Sequence, residues 1–220
     1  MLRIYTKTGD DGTTGLLFGG RVRKDAAVMH ITGTVDEAQA ALGMARAESV
    51  AGSELDEVLT HLERDLYVLM AEIATDPSNR SKLVAGKSLV TEEMVTALEV
   101  SIDDLISRVA MPTDFVIPGA NRASAALDFS RTVVRRAERL LVSSPIEGSL
   151  VHPYLNRLSD LLWALARWAE GQDHLLARGA PRRARRSDEP GGSDGSGGSD
   201  GPDGPDGSGD SGGSVAGRSG

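Results

Sequence analysis

Five segments of this 220-residue chain repeat apolar residues at intervals of three and four, and only short pieces such as LLF (16–18) and FVI (115–117) read as extended. The plainest case is 53–75, where Leu55, Leu59, Leu62, Leu66, Met70 and Ile73 form one stripe. The segment 25–49 carries Val28, Ile31, Val35, Ala38, Leu42 and Ala45 in the same way. Thr91 opens a third as an N-cap, with Glu92 and Glu93 at the positive end of the helix dipole and a stripe of Met94, Leu98, Ile102, Leu105 and Val109. A fourth covers 121–142 after Pro118-Gly119, and a fifth is expected over 153–178. Such helices are about 30–39 Å long at 1.5 Å per residue, and short connections favour antiparallel neighbours. The expected fold is all-α, a five-helix up-and-down bundle. Its longest interior break, 76–90, reads as mobile.

Two stretches stand outside this pattern. YTKTGDDGTTGLLFGG (5–20) holds five glycines, two aspartates, four threonines and one cation, Lys7. Glycine lets the main chain approach a ligand, and threonine hydroxyls with free N–H groups suit phosphate oxygens. Composition alone leaves a phosphate cradle and a frayed polar terminus both open. At the other end, 187–220 has no aromatic residue and one long aliphatic, Val215, so it cannot bury enough surface to offset ordering. It carries seven acids against one arginine, a charge of −6, which leaves residues 1–186 with only −2 of the chain's −8. The expected organisation is therefore an N-terminal segment (1–24), a helical bundle (25–180) and a disordered tail (181–220), basic in PRRARR (181–186) and acidic beyond. The basic run reads as the end of a helical domain rather than as a nucleic-acid contact, since the acidic tail competes for it.

The absence of cysteine excludes disulfides and thiolate metal sites. No apolar run reaches the ~20 residues of a membrane span, and no signal-peptide core follows Met1, so a cytoplasmic protein is expected, with no membrane partner. AGKS (85–88) fails as a P-loop because Ser81 stands where the pattern needs glycine. A di-iron carboxylate centre fails because Ala27, Val58, Ser149 and Gly171 precede the four histidines by three residues, where glutamate is required.

One helix reads either as an ordinary solvated charged face or as an anion-binding one. In SRTVVRRAERLL (130–141), Arg131, Arg135 and Glu138 share a face, Arg136 and Arg139 flank it, and lysine is absent. A solvated face usually mixes lysine with glutamate, whereas arginine's rigid fork suits bidentate phosphate recognition. In YLNRLSDLLWALAR (154–167), Asn156 and Asp160 lie one turn apart, with Leu158, Leu161 and Leu162 toward the core. Asn156 is either simply exposed or set to orient a ribose, base or phosphate.

Taken together, YTKTGDDGTT with Arg21 and Lys24, GTVDE (33–37), the run from FVIPG to RTVVRRAER (115–139) and YLNRLSDLL (154–162) resemble the PduO-type ATP:cob(I)alamin adenosyltransferases, in order over most of residues 3–170. The resemblance implies a five-helix bundle assembled as a homotrimer, with active sites at subunit boundaries. It implies transfer of the 5′-deoxyadenosyl group of ATP to the cobalt of cob(I)alamin, with release of triphosphate. Thr6, Lys7, Thr8, Gly9, Thr14, Gly15 and Lys24 would bind ATP from one subunit, ordering the N-terminal segment around it. Arg135, Arg136, Glu138, Arg139 and Asn156 would complete the site from the neighbour. Mg²⁺ would ride on the ATP phosphates, with no metal ligand assigned among side chains. Phe115 matches the family aromatic that displaces the lower axial ligand of cobalamin, where an ordinary reading makes it a core residue. Asp36 matches the aspartate that pairs with the arginine at 131, and both belong to the implied cobalamin side of the site. Cobalt(I) is itself the nucleophile, so alignment and stabilisation of the leaving triphosphate are what the protein must supply.

The chain departs from that pattern at Asp128, where relatives often carry histidine, at GANRAS (119–124) and in the acidic tail. Two rival readings use the same residues: an ATP-gated carrier that delivers adenosylcobalamin to a mutase, and a structural bundle with an exposed arginine face. The implied further partners are a reductase and a cobalamin-dependent mutase.

Overall fold

In the computed structural model, residues 4–173 and 175–178 are described. The expected disordered tail and the PRRARR run therefore lie outside the described residues. The five helices are α1 (Ala27–Ala47), α2 (Glu54–Ile73), α3 (Glu92–Arg108), α4 (Arg122–Val142) and α5 (Val151–Glu170). Two short antiparallel pairs accompany them: β1 (Thr13–Gly15) with β2 (Arg21–Arg23), and β3 (Val116–Ile117) with β4 (Leu175–Leu176).

Local chemistry sets most helix starts. The Ser53 hydroxyl accepts from the Asp56 amide and the Thr91 hydroxyl from the Met94 amide. Asn121 and Ser124 close a reciprocal capping box at the start of α4. Each such cap contributes about 1 kcal/mol. The expected stripes of α1 and α2 face inward: Ile31, Val35, Ala38, Leu42, Leu59, Leu62 and Leu66 are all buried. A fully buried leucine stabilises the fold by roughly 1.5–3 kcal/mol.

Packing order differs from chain order. α1 lies against α2 and α4, and α5 lies against α4, α3 and α2. Because α5 touches three helices it is buried almost all round, with Val151, Tyr154, Leu155, Leu158, Leu161, Leu162 and Leu165 enclosed. α3 packs chiefly on α5, not on its chain neighbours, and of its five-residue stripe only Leu98 and Leu105 are buried. An outer helix with one packed edge needs no more.

Two expectations are corrected. The fifth helix does not run to 178: it stops at Glu170, where Gly171 takes φ +62°, and Leu175–Leu176 turns back to pair with Val116–Ile117. The break at 76–90 is not loose. It holds a 3₁₀ turn, Pro77–Lys82, started by the Asp76 carboxylate accepting from the Ser78 amide. Glu72, fully buried in α2, then anchors three pieces at once: it accepts from Arg80 at 2.8 Å, from the Val90 amide at 2.7 Å and from the Ser149 hydroxyl at 2.6 Å.

A second buried acid has a pH signature. Asp65 of α2 accepts from the Tyr154 hydroxyl at 2.8 Å, with His61 3.6 Å away. Burial pushes the Asp65 carboxyl above its ordinary value, against the opposing pull of the Tyr154 hydrogen bond and His61. The folded state therefore holds this proton more tightly than the unfolded chain, so its contribution falls as pH rises from below the ordinary aspartate range through the raised value. Asp65→Asn keeps an acceptor for Tyr154 and loses the titration. Its stability relative to the parent is expected to improve as pH rises through that window, which urea melts at pH 3.5, 5 and 7 would measure; a constant difference would contradict it.

Candidate functional site

The N-terminal segment is folded by its own polar groups. The Asp11 carboxylate accepts from the Thr13 amide at 2.9 Å and the Thr13 hydroxyl at 2.8 Å, and these bonds hold its pKa below the ordinary range. Arg21 crosses from β2 and donates to the Thr13 hydroxyl at 2.6 Å and the Thr8 carbonyl at 2.5 Å. Thr6 and Thr8 share a 2.8 Å hydrogen bond between hydroxyls. The Lys24 amide donates to the Gly12 carbonyl, and a Cβ on Gly9 would sit 3.1 Å from Lys24 Nζ and 3.1 Å from the Thr13 carbonyl oxygen. Gly9 is thus the place where the lysine lies directly on the main chain. Lys7 adopts φ +61°, a conformation that costs a residue with a Cβ and recurs where backbone is set to meet a ligand. Thr14 and Gly15 lie in β1, and the Leu17 amide donates to the Ala74 carbonyl, tying the hairpin to the end of α2. In sequence Arg21 is only a cation after the glycine-rich stretch; its partners Thr13 and Thr8 lie eight and thirteen residues away, beyond any local pattern.

The second cluster lies on α4 and α5. Asn156 donates to Glu138 at 3.1 Å and accepts from Arg157 at 2.6 Å, while Arg157 also donates to Glu99 of α3 at 2.9 Å. Glu138, Asn156, Arg157 and Glu99 thus join three helices. Arg136 pairs with Glu37 of α1. Arg135 and Arg139 are exposed and make no ion pair among the described residues. Of the five residues expected on one site, Glu138 and Asn156 are directly bonded on the α5 side, Arg136 turns to α1, and Arg135 and Arg139 are exposed on the same helix. Within one chain no hydrogen bond joins them to Thr6–Lys24 among the described residues.

Of the residues implied at the corrinoid, Phe115 and Asp36 are exposed and Arg131 is partly buried. Phe115 is not a core aromatic: it is 82% exposed, beside Pro112, Asp114 and Trp163, and its carbonyl accepts from the Ala177 amide. The backbone bond and the β3–β4 pair hold the segment while the ring stands outward. The expected Asp36–Arg131 pair is not formed within the chain. Asp36 is exposed, and Arg131 Nε instead lies 3.3 Å from Asp128 Oδ1 one turn before it. Neighbours on one helix at i, i+3 meet without any help from tertiary structure.

The chain matches the family described as cobalamin adenosyltransferase over residues 4–169. It is 42% identical over 180 residues to the corrinoid adenosyltransferase of Citrobacter freundii, covering 80% of this chain and 100% of that protein. It is also 37% identical over 176 residues to the corrinoid adenosyltransferase PduO of the same organism, and spans 50% of that longer protein. Among solved structures it resembles a variant PduO-type ATP:corrinoid adenosyltransferase from Lactobacillus reuteri complexed with cobalamin and ATP, with a TM-score of 0.71 and 27% identity, over 80% of this chain and 100% of that one.

Proposed function

The chain belongs to the cobalamin adenosyltransferase family, and from that premise we infer that it is an ATP:corrinoid adenosyltransferase, transferring the 5′-deoxyadenosyl group of ATP to cob(I)alamin. In this reaction the cobalt–carbon bond forms as the C5′–oxygen bond breaks, and the electron pair leaves with triphosphate. The carrier reading is not favoured, because the relatives are named for transfer.

The observation that carries the nucleotide half of the site is the arginine face of α4, with exposed Arg135 and Arg139 beside the bonded Glu138–Asn156 pair. Arg135 and Arg139 neutralise the triphosphate as charge develops on it. Arg136, shared with Glu37, supports them from the α1 side. Glu138 and Asn156 offer a polar edge to the nucleoside. Thr6, Lys7, Thr8, Gly9, Thr14, Gly15 and Lys24 wrap the phosphates from the N-terminal segment of a second copy, in a homotrimer whose sites lie at subunit boundaries. Mg²⁺ rides on the ATP phosphates, with no side chain assigned as its ligand. Phe115, Asp36 and Arg131 serve the corrinoid, Phe115 as the wedge that displaces the lower axial ligand. A reductase supplies the electron that makes cob(I)alamin, and a cobalamin-dependent mutase takes the product, in the cytoplasm. Among the described residues no helix is long and apolar enough to cross a membrane.

The test is anaerobic: the protein, cob(II)alamin, a reductant and ATP–Mg²⁺, followed by visible spectroscopy for adenosylcobalamin. Product formation is expected; a perturbed corrinoid spectrum without product would favour a carrier. Phe115→Ala separates the two corrinoid steps. Because the ring is exposed, its loss leaves stability nearly unchanged, while turnover from cob(II)alamin is expected to fall on the order of a hundredfold, about 2.7 kcal/mol of barrier. Turnover from pre-formed cob(I)alamin should fall much less, and equal losses on both substrates would remove Phe115 from the ligand-displacement role.

A further inference from the structure

Four charged side chains from α4 and α5 form one cluster, three of them out of water. Asp128, Arg167 and Glu170 have side chains 5%, 2% and 0% exposed, whereas Arg131 is 27% exposed. Arg167 Nη2 donates to Asp128 Oδ2 at 2.5 Å and to Glu170 Oε1 at 2.9 Å. Arg167 Nε and Glu170 Oε2 are 2.9 Å apart but poorly aligned, and both lack a well-directed hydrogen bond. Two carboxylates and one guanidinium leave this interior with a net charge of −1, which is costly unless a cation neutralises it. Arg131 is that cation, and it reaches Asp128 through Nε, 3.3 Å from Oδ1. Its Nη atoms make no hydrogen bond among the described residues.

We propose that Asp128 is a positioning residue for the transfer reaction, holding Arg131 by its Nε edge so that the terminal guanidinium nitrogens face the corrinoid side of the site. The proposal rests on the assignment of Arg131 to that side. Arg167 fixes the Asp128 rotamer from the interior, and Glu170 fixes Arg167. The aim of Arg131 is therefore set by the core of its own chain before any second subunit arrives. The carboxylate works here as a charge rather than as a shape. Asp128→Asn has nearly the same volume and leaves Arg167 and Glu170 balanced, so the variant is expected to fold, while Arg131 loses the attraction that draws it inward.

The experiment is a double-mutant cycle with Asp128→Asn and Arg131→Lys, read by adenosylcobalamin formation, ATP affinity and thermal melting on the full chain. Asp128→Asn is expected to lower kcat for the corrinoid about tenfold or more with ATP affinity within about twofold, and Asp128→Glu should recover most of the loss. In the Arg131→Lys background, Asp128→Asn should cost little further, because its effect travels through the arginine. Additive losses with Arg131→Lys, or equal loss in the Asn and Glu variants, would overturn the positioning role while leaving the Arg131 assignment intact. Full activity in Arg131→Lys and Arg131→Ala alike would instead overturn the assignment on which the proposal rests.

Discussion

Arg135→Ala should nearly abolish adenosyl transfer while the protein melts as the parent does. The side chain is exposed on α4 and makes no ion pair among the described residues, so the fold does not depend on its charge. Arginine and alanine are both good helix formers, and an exposed substitution of this kind stays within about 0.5 kcal/mol. The proposed reaction, by contrast, places growing negative charge on the departing triphosphate, at the site where this arginine is assigned. Removing one preorganised donor from such a site typically costs on the order of 10²–10³ in kcat. Arg135→Lys should fall between the two, since lysine keeps the charge and loses the bidentate fork. The measurement is kcat with cob(I)alamin supplied, alongside ATP affinity and Tm. Normal turnover in Arg135→Ala would move the triphosphate off this helix face and revive the reading of α4 as an ordinary charged surface.

The largest stability effect is expected at Arg167. Arg167→Met retains much of the side chain's length and removes the cation that Asp128 and Glu170 share. Breaking a buried pair by deleting one partner costs about 3–5 kcal/mol, because the remaining charge is stranded. Here two carboxylates are stranded, with only half-buried Arg131 left to neutralise them. For a folded unit of this size each kcal/mol moves Tm by about 2–4 °C, so a drop of roughly 6–20 °C follows. A variant as stable as the parent at pH 7 would show that this cluster is held by packing rather than by charge.

These two residues also show what could be read early. The place of Arg135 on an arginine-bearing helix is legible because its signal is local: arginines spaced three and four apart, with no lysine among them, on a helix that the same periodicity predicts. Arg167 is not. It sits in the sequence as one polar residue near the end of an apolar run, and its role depends on Asp128, 39 residues earlier. Glu72 was missed for the same reason, since Ser149, whose hydroxyl it accepts from, lies 77 residues away. That omission made the 76–90 segment look loose, when a buried acid in the preceding helix ties it down.

Phe115 and Asp36 mark a different limit. An ordinary reading makes a phenylalanine just before Val-Ile-Pro a core residue while the resemblance gives it to the corrinoid, and the pairing of β3 with β4 shows that the backbone is held while the ring is exposed. The resemblance pairs Asp36 with Arg131 at the subunit interface; within one chain α4 offers that arginine a carboxylate at i−3, already fixed from behind by Arg167. The nearer, anchored partner takes the contact within the chain.

By itself the sequence determined the five helices, the cap at Thr91, and the character of the glycine-rich N-terminal segment, because helical period, capping and turn chemistry act within a few residues. The ordered motifs determined the family. Tertiary structure alone decided that α5 is the central helix, that the chain turns back at Gly171, and that buried acids at 65, 72, 128 and 170 are each met by partners from elsewhere in the chain or one turn away. The physical reason is the range of the forces. Backbone propensity is set by near neighbours, whereas the pairing of a buried charge is set by whatever the packing of distant helices brings within 3 Å.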